Sequence, residues 1–318
     1  MQLVLDTKNL EISRLRGLFL IEAPDGVRRT ISPRKVSSIA VTQACRLHTG
    51  AIELAAAHEI PIYLLNNIGR VTARLGAPNF QSIATLRRRQ VEFAAGPGSA
   101  RWVTGLYLLK TDGQIDNLAR MQAQHPAIGA IRAIVRKADA LAQLPLAEAG
   151  PKIMAMEAAA ARQYWQALAQ WLPPECDFEK RTRRPAQDPF NAALNYLYGM
   201  LYTVVETGLF AAGLDPHLGL LHADEYNKPV LAFDFIEPFR PWADRLLIEQ
   251  YQAAKVPAAF FAKIPGGLAL NKAGKAFFIP LFNGWLRSER TWGGRKASVK
   301  NHIYQLAGRF AKKLREEE

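Results

Sequence analysis

Two cysteines in 318 residues are too few for a disulfide framework or a four-thiolate zinc site, and they point to a reducing compartment. No stretch approaches the ~18 uninterrupted apolar residues of a membrane-spanning helix. Met1 to Leu10, interrupted by Asp6 and Lys8, lacks the apolar run of a secretory signal. Acids are scarce too: 28 Asp+Glu against 41 Lys+Arg leave a net charge of +13, which makes a polyanion a leading candidate partner. Common catalytic motifs are missing. Gly274-Lys275 is followed by Ala276 and preceded by Ala269 where a phosphate-binding loop needs glycine. His58-Glu59 has Ile62 in place of a zincin's second histidine, and no Gly-x-Ser-x-Gly elbow occurs. Cys45 and Cys176 stand alone, and His48, His125, His217 and His302 have no acid at ligand-like spacing.

What is present is a folded composition, 49% hydrophobic and 22% charged, in a chain long enough for two cores. The expectation is a cytoplasmic, basic, two-domain protein. Its α+β organisation reads as a small N-terminal β-sandwich-like domain over residues 1–84, then a larger all-α-helical domain over 85–318. Leu3–Leu5, Gly17–Ile21, Ser37–Val41, Ile60–Leu65 and Val71–Leu75 have strand length and pattern, with a turn at Asn66-Asn67-Ile68-Gly69. One helix is expected from Thr49 to Glu59. After Ala84 helical periodicity dominates. Asp188 as cap, Pro189 in the first turn and Gly213 past the end bound the clearest helix, on which Tyr196, Tyr198 and Tyr202 read as packing. A last helix runs from Ser298 to Leu314, with Val299, Ile303, Leu306, Phe310 and Leu314 inward. Pro173 to Pro189, carrying Lys180-Arg181-Thr182-Arg183-Arg184, reads as an exposed basic loop.

One region carries chemistry. His222 ends a short apolar approach, Tyr226-Asn227-Lys228-Pro229 turns the chain, and Asp234 and Glu237 follow the apolar run Val230 to Phe233. Three apart, these carboxylates share one side of a helix. Acids in such surroundings need a compensating charge, from a metal ion or a basic partner. Glu157, among small apolar neighbours on another helix, is a third acid. One histidine with two or three carboxylates suits Mg²⁺ or Mn²⁺ better than structural zinc; taken alone, Glu157 reads as a solvated helix glutamate.

Glu157 with Ala161-Arg162-x-Tyr164, Asn191-x-x-Leu194-x-Tyr196-x-Tyr198, Gly213-Leu214-Asp215-Pro216 leading to His222, and Asp234-Phe235-Ile236-Glu237-Pro238-Phe239-Arg240-Pro241 occur in one order. Together with Ile60–Leu65, Gly69-Arg70 and Arg87-Arg88-Arg89-Gln90, they resemble the CRISPR-associated spacer-acquisition integrases, the Cas-one endonuclease family, over nearly the whole chain. Ala155 and Ala158 depart from the pattern, standing where glycines often flank the family's glutamate.

The resemblance implies a β-sandwich beside a helical catalytic domain and a metal site of Glu157, His222 and Glu237, with Asp234 in support. It implies a metal-dependent enzyme, using Mg²⁺ or Mn²⁺, that joins the 3′-hydroxyl ends of captured double-stranded DNA into a CRISPR repeat by transesterification. It also implies a homodimer formed through the β-rich domain and a small Cas-two partner protein, away from any membrane. Phosphate contacts are expected from Arg162, Arg183, Arg184, Arg240, Arg245, Arg295 and Lys296. The rival readings are a branched-DNA nuclease or transposon-type integrase of the same fold, and a non-catalytic basic DNA-binding scaffold.

Overall fold

The computed structural model describes residues 1–65, 71–76, 84–183, 185–222 and 228–316. The turn expected at 66–69, Gly69-Arg70, Tyr226-Asn227 and Arg184 lie outside the described residues.

The first part of the chain holds β1 (Gln2–Leu5), β2 (Glu11–Leu15), β3 (Leu18–Glu22), β4 (Arg28–Ile31), β5 (Ser38–Val41), β6 (Arg46–Leu47), helix α1 (Thr49–Ala57), β7 (Ile62–Leu65) and β8 (Val71–Leu75). One sheet has the order β1-β5-β7-β8, parallel except at the β7–β8 edge. The other has the order β4-β3-β2-β6, antiparallel except where β6 joins β2. Leu3, Leu5 and Ile39 from the first sheet and Ile12 and Phe19 from the second share one buried cluster, so the sheets close on a common core. The helix expected at Thr49–Glu59 stops at Ala57, and Glu59 takes a left-handed backbone (φ 54°). β2 and β4 escape apolar-run reading for one reason: Glu-Ile-Ser-Arg-Leu buries only Ile12, and Arg-Arg-Thr-Ile is an exposed, charged edge, as edge strands that avoid further pairing tend to be.

From Ala84 the chain is mainly helical: α2 (Ala84–Ala95), α3 (Gly98–Met121), α4 (Pro126–Val135), α5 (Ala138–Leu141), α6 (Leu146–Ala169), α7 (Pro189–Ala211), α8 (Val230–Phe235), α9 (Arg240–Gln252), α10 (Lys272–Arg287) and α11 (Val299–Glu316). Two antiparallel hairpins interrupt it, β9 (Phe261–Ile264) with β10 (Gly267–Leu270), and β11 (Glu289–Trp292) with β12 (Arg295–Ser298). They were not expected from helical periodicity. None of the described helices is long and apolar enough to cross a membrane.

α7 is the central helix. The Asp188 carboxylate accepts the Asn191 N–H at 2.7 Å, capping the first turn, and Leu194, Leu197 and Leu201 are fully buried. The α11 stripe expected from Val299 to Leu314 is buried as well. The β-rich part joins α7 and α10 through Gln2. Its backbone exchanges bonds with the Asn283 side chain at 2.9 and 3.0 Å, and its amide reaches Thr203 Oγ1.

The 173–189 segment is not simply an exposed loop. Cys176, Phe178 and Ala186 are buried. Arg181 turns inward to donate to Asn191 Oδ1 at 2.7 Å and Asn195 Oδ1 at 2.6 Å, because the first turns of α7 offer side-chain acceptors that solvent would otherwise have to fill.

Candidate active site

α3 positions the first element of the site. Its buried face carries Tyr107, Lys110, Gln114 and Asn117, and it lies close against the turn after α8. A Cβ on Gly113 would stand 2.8 Å from Pro241, so only glycine allows this approach. It sets the Lys110 ammonium 2.6 Å from Glu237 Oε2, and the same ammonium hydrogen-bonds Glu157 Oε1 on α6. Two of the acids singled out in the sequence therefore converge on one positive charge. Glu237 is buried, while the Glu157 side chain keeps 26% of its surface exposed.

The second element is the approach to His222. Gly219 lies in a tight passage where a Cβ would meet the His222 carbonyl oxygen at 2.4 Å. The fully buried Asp234 holds this strap. One carboxylate oxygen accepts the Leu220 and Leu221 N–H groups at 3.0 and 3.1 Å, and the other meets His222 Nδ1 at 2.7 Å. A carboxylate only accepts, so Nδ1 carries a proton, and in the neutral imidazole Nε2 keeps its lone pair. Asp234 thus orients the imidazole, and Glu237 offers its charge elsewhere. α8, a 3₁₀ turn over Glu237–Phe239 and α9 follow without a break, joined by Ile236 N–H to Ala232 O and Arg240 N–H to Ile236 O.

Electrostatics confirm the convergence. Burial alone would raise the Glu237 carboxyl, but Arg240, Lys110 and His222 outweigh it and hold the group below its usual range. Burial pushes the Tyr107 phenol far up, and Glu237, Asp234 and Glu157 all push it the same way, so one phenol senses all three acids. Arg240 meets Glu237 Oε1 at 3.2 Å, donates to Tyr202 at 2.5 Å, and lies over the Tyr198 and Tyr202 rings at 5.1 and 5.7 Å. Tyr198 and Tyr202 are therefore not mere packing, whereas Tyr196 packs against the core as expected. Tyr198 donates to the buried Asp244 at 2.5 Å, and Tyr164 does so at 3.1 Å. Asn117 ties Tyr164 to the Pro241 carbonyl.

Among the described residues no group of three or more His, Cys, Asp or Glu is already gathered to hold a metal ion. The donor set nevertheless fits a divalent cation: Glu157 and Glu237 already bracket a cation, and Glu237 Oε2 is buried without an aligned hydrogen bond.

The expected phosphate contacts divide. Arg162, Arg183, Arg295 and Lys296 are exposed, although Arg162, five residues beyond Glu157 on α6, lies well round the helix from it. Arg240 is committed to Glu237 and Tyr202. Arg245 pairs with Asp116 and donates to Asn117 at 2.8 Å. Lys110, Tyr107 and Asp244 were missed by sequence reading. Lys110, Gln114 and Asn117, spaced four and three apart on the Val103–Tyr107 face of α3, mark a polar stripe on a buried helix side, and that was the available signal.

Residues 3–284 match the family described as CRISPR associated protein Cas1. A relative, the CRISPR-associated endonuclease Cas1 2 of Rhodospirillum rubrum, is 33% identical over 270 residues, covering 81% of this chain and 78% of its own. The fold is shared with a casposase bound to integration product (TM-score 0.86, 20% identity, all of this chain and 92% of that one). It is also shared with a chain of a Cas6-RT-Cas1–Cas2 complex (TM-score 0.83, 19% identity, all of this chain and 35% of that one). The sequence match over most of the chain, on a β-rich part joined to a helical part, means that this chain belongs to the Cas1 family.

Proposed function

We propose that this chain is a metal-dependent DNA endonuclease and integrase of CRISPR adaptation. In this reading it joins the 3′-hydroxyl end of a captured fragment to a repeat phosphate by transesterification. The 3′-oxygen forms the new P–O bond as the old one breaks, and the departing strand keeps a hydroxyl. The observation that carries the reading is the convergence of Glu157 and Glu237 on a single cation, with the Asp234-oriented His222 near enough to act on the Glu237 carboxyl.

Glu157 and Glu237 would hold Mg²⁺ or Mn²⁺, and His222 Nε2 would complete the set. A divalent ion there would act as a Lewis acid on the attacking oxygen and neutralise charge developing on the phosphate. The chain does the rest. Asp234 fixes the imidazole tautomer, Arg240 holds Glu237 ionised, and the net charge of +13 attracts the DNA backbone without reading its sequence. Arg162, Arg183, Arg295 and Lys296 are the exposed candidates for that role. A casposase bound to integration product and a Cas1–Cas2 complex of the same fold support double-stranded DNA and a small Cas2 protein as partners. A homodimer through residues 1–84 belongs to the same proposal.

The test is strand joining by the purified protein on a repeat-bearing plasmid, with Mg²⁺ or Mn²⁺. Glu157→Ala and His222→Ala should abolish joining and leave DNA binding and folding largely intact. Normal integration by either variant would refute the site assignment. Equal cleavage of simple forks and repeats would favour the branched-DNA nuclease.

A further inference from the structure

Lys110 has no place in the chemistry described above, yet it occupies its centre. Its side chain is 8% exposed and its ammonium spans Glu157 and Glu237. Glu237 is held by two cations of different character. Arg240 grips Oε1 while stacked on Tyr198 and bonded to Tyr202, so several contacts fix it. Lys110 faces Oε2 on a flexible four-carbon stem, a compact ammonium with one ring contact, Tyr107 at 5.8 Å, and no bond to a phenol oxygen among the described residues. The partly exposed Glu157 side chain opens the same spot toward solvent.

We propose that Lys110 is a resident counterion that a divalent metal must displace. This rests on reading Glu157 and Glu237 as metal ligands. With no metal bound, two acids in a mostly buried site would repel one another, and the ammonium neutralises them. Glu157 and Glu237 would hold the ion only once the Lys110 ammonium had left the space between them. Lys110 thereby weakens metal binding and holds the ligands in position beforehand. It is a positioning residue.

Manganese chloride titrated by calorimetry into the EDTA-stripped full chain tests this with wild type, Lys110→Met and Lys110→Arg. Without the competing charge, Lys110→Met should bind Mn²⁺ about tenfold more tightly, whereas Lys110→Arg should stay near wild type. Should Lys110→Met not fold, wild type answers the question alone. Amine labelling followed by mass spectrometry should show Lys110 reacting several-fold faster once Mn²⁺ is added, with surface lysines unchanged. Equal affinities in wild type and Lys110→Met, or labelling of Lys110 indifferent to Mn²⁺ that wild type demonstrably binds, would overturn this inference and leave the metal site standing. Absence of Mn²⁺ binding in wild type and variants alike would overturn both.

Discussion

Asp234→Asn probes the site more sharply than removal of any ligand, because it changes a proton's location and almost no volume. Asp234 is fully buried and makes three bonds: two from the Leu220 and Leu221 N–H groups at 3.0 and 3.1 Å, and one with His222 Nδ1 at 2.7 Å. Truncation to alanine would strand both backbone donors, at about 1–3 kcal/mol for each buried unsatisfied group. Against a typical total stability of about 5–15 kcal/mol that would confuse unfolding with lost function. Asparagine keeps an oxygen for the two N–H groups and then has only its NH₂ to offer the imidazole. Nδ1 must become the acceptor, the proton moves to Nε2, and the lone pair proposed to face the metal is gone. The stability loss should stay within the roughly 1.5–3 kcal/mol of one charge-assisted bond, while Mn²⁺ affinity should fall about 10–100-fold. Strand joining should be lost with it. Nitrogen NMR of ¹⁵N-histidine protein reads the tautomer directly, and calorimetry reads the metal. An Asp234→Asn protein with its His222 proton on Nε2 but wild-type Mn²⁺ affinity would refute His222 as a ligand. A proton still on Nδ1 would refute the hydrogen-bond argument itself.

Two further predictions concern the rest of the chain. Burial of Glu206 on α7 raises its carboxyl from the ordinary 4.5 to about 7, against the opposing pull of Arg74 and His217. A raised acid stabilises the fold while protonated, so its contribution is full below pH 4.5 and is lost as pH climbs through about 7. Glu206→Gln should flatten the decline of the urea midpoint over that window, and an unchanged slope would refute it. For DNA, the exposed pair Arg295 and Lys296 flanks the β11–β12 turn. If both touch phosphates, mutating both to alanine should lower the slope of log affinity against log salt by about two. An unchanged slope in filter binding would remove them from the interface.

Much of the fold could be read in the chain itself. The cap at Asp188, the apolar stripe of α11 and the strands β1, β3, β5, β7 and β8 follow from local pattern. What escaped reading depends on tertiary partners. β4 is two arginines, a threonine and an isoleucine, and becomes a strand only because β3 pairs with it. The β9–β10 and β11–β12 hairpins are four-residue strands inside a helical context. Of the site, Asp234, Glu237 and His222 were visible because unpaired charge in apolar sequence is conspicuous, whereas Glu157 read locally as a solvated glutamate and joined them through the family resemblance. Their requirement for a compensating basic group was visible too, but its identity was not. Lys110 lies 47 residues before Glu157 and nothing local links them. Arg240 was read as a phosphate contact for its nearness to Glu237, and in the fold that nearness pairs it with the buried acid.

The division of labour around Glu237 follows from the cost of burying it. A lone carboxylate at that depth would take up a proton and cease to be a ligand. A single fixed cation would keep it ionised but would also claim both oxygens. Instead Arg240, itself backed by Tyr198, Tyr202 and the buried Asp244 beyond them, claims Oε1, while Oε2 faces the Lys110 ammonium. The arginine preserves the charge at Oε1 and leaves Oε2 to the lysine, so the chain's own side chains keep the buried acid ionised. The buried aromatic network behind Arg240 is part of the same solution: it fixes the guanidinium against Glu237, a role that a solvated arginine could not fill.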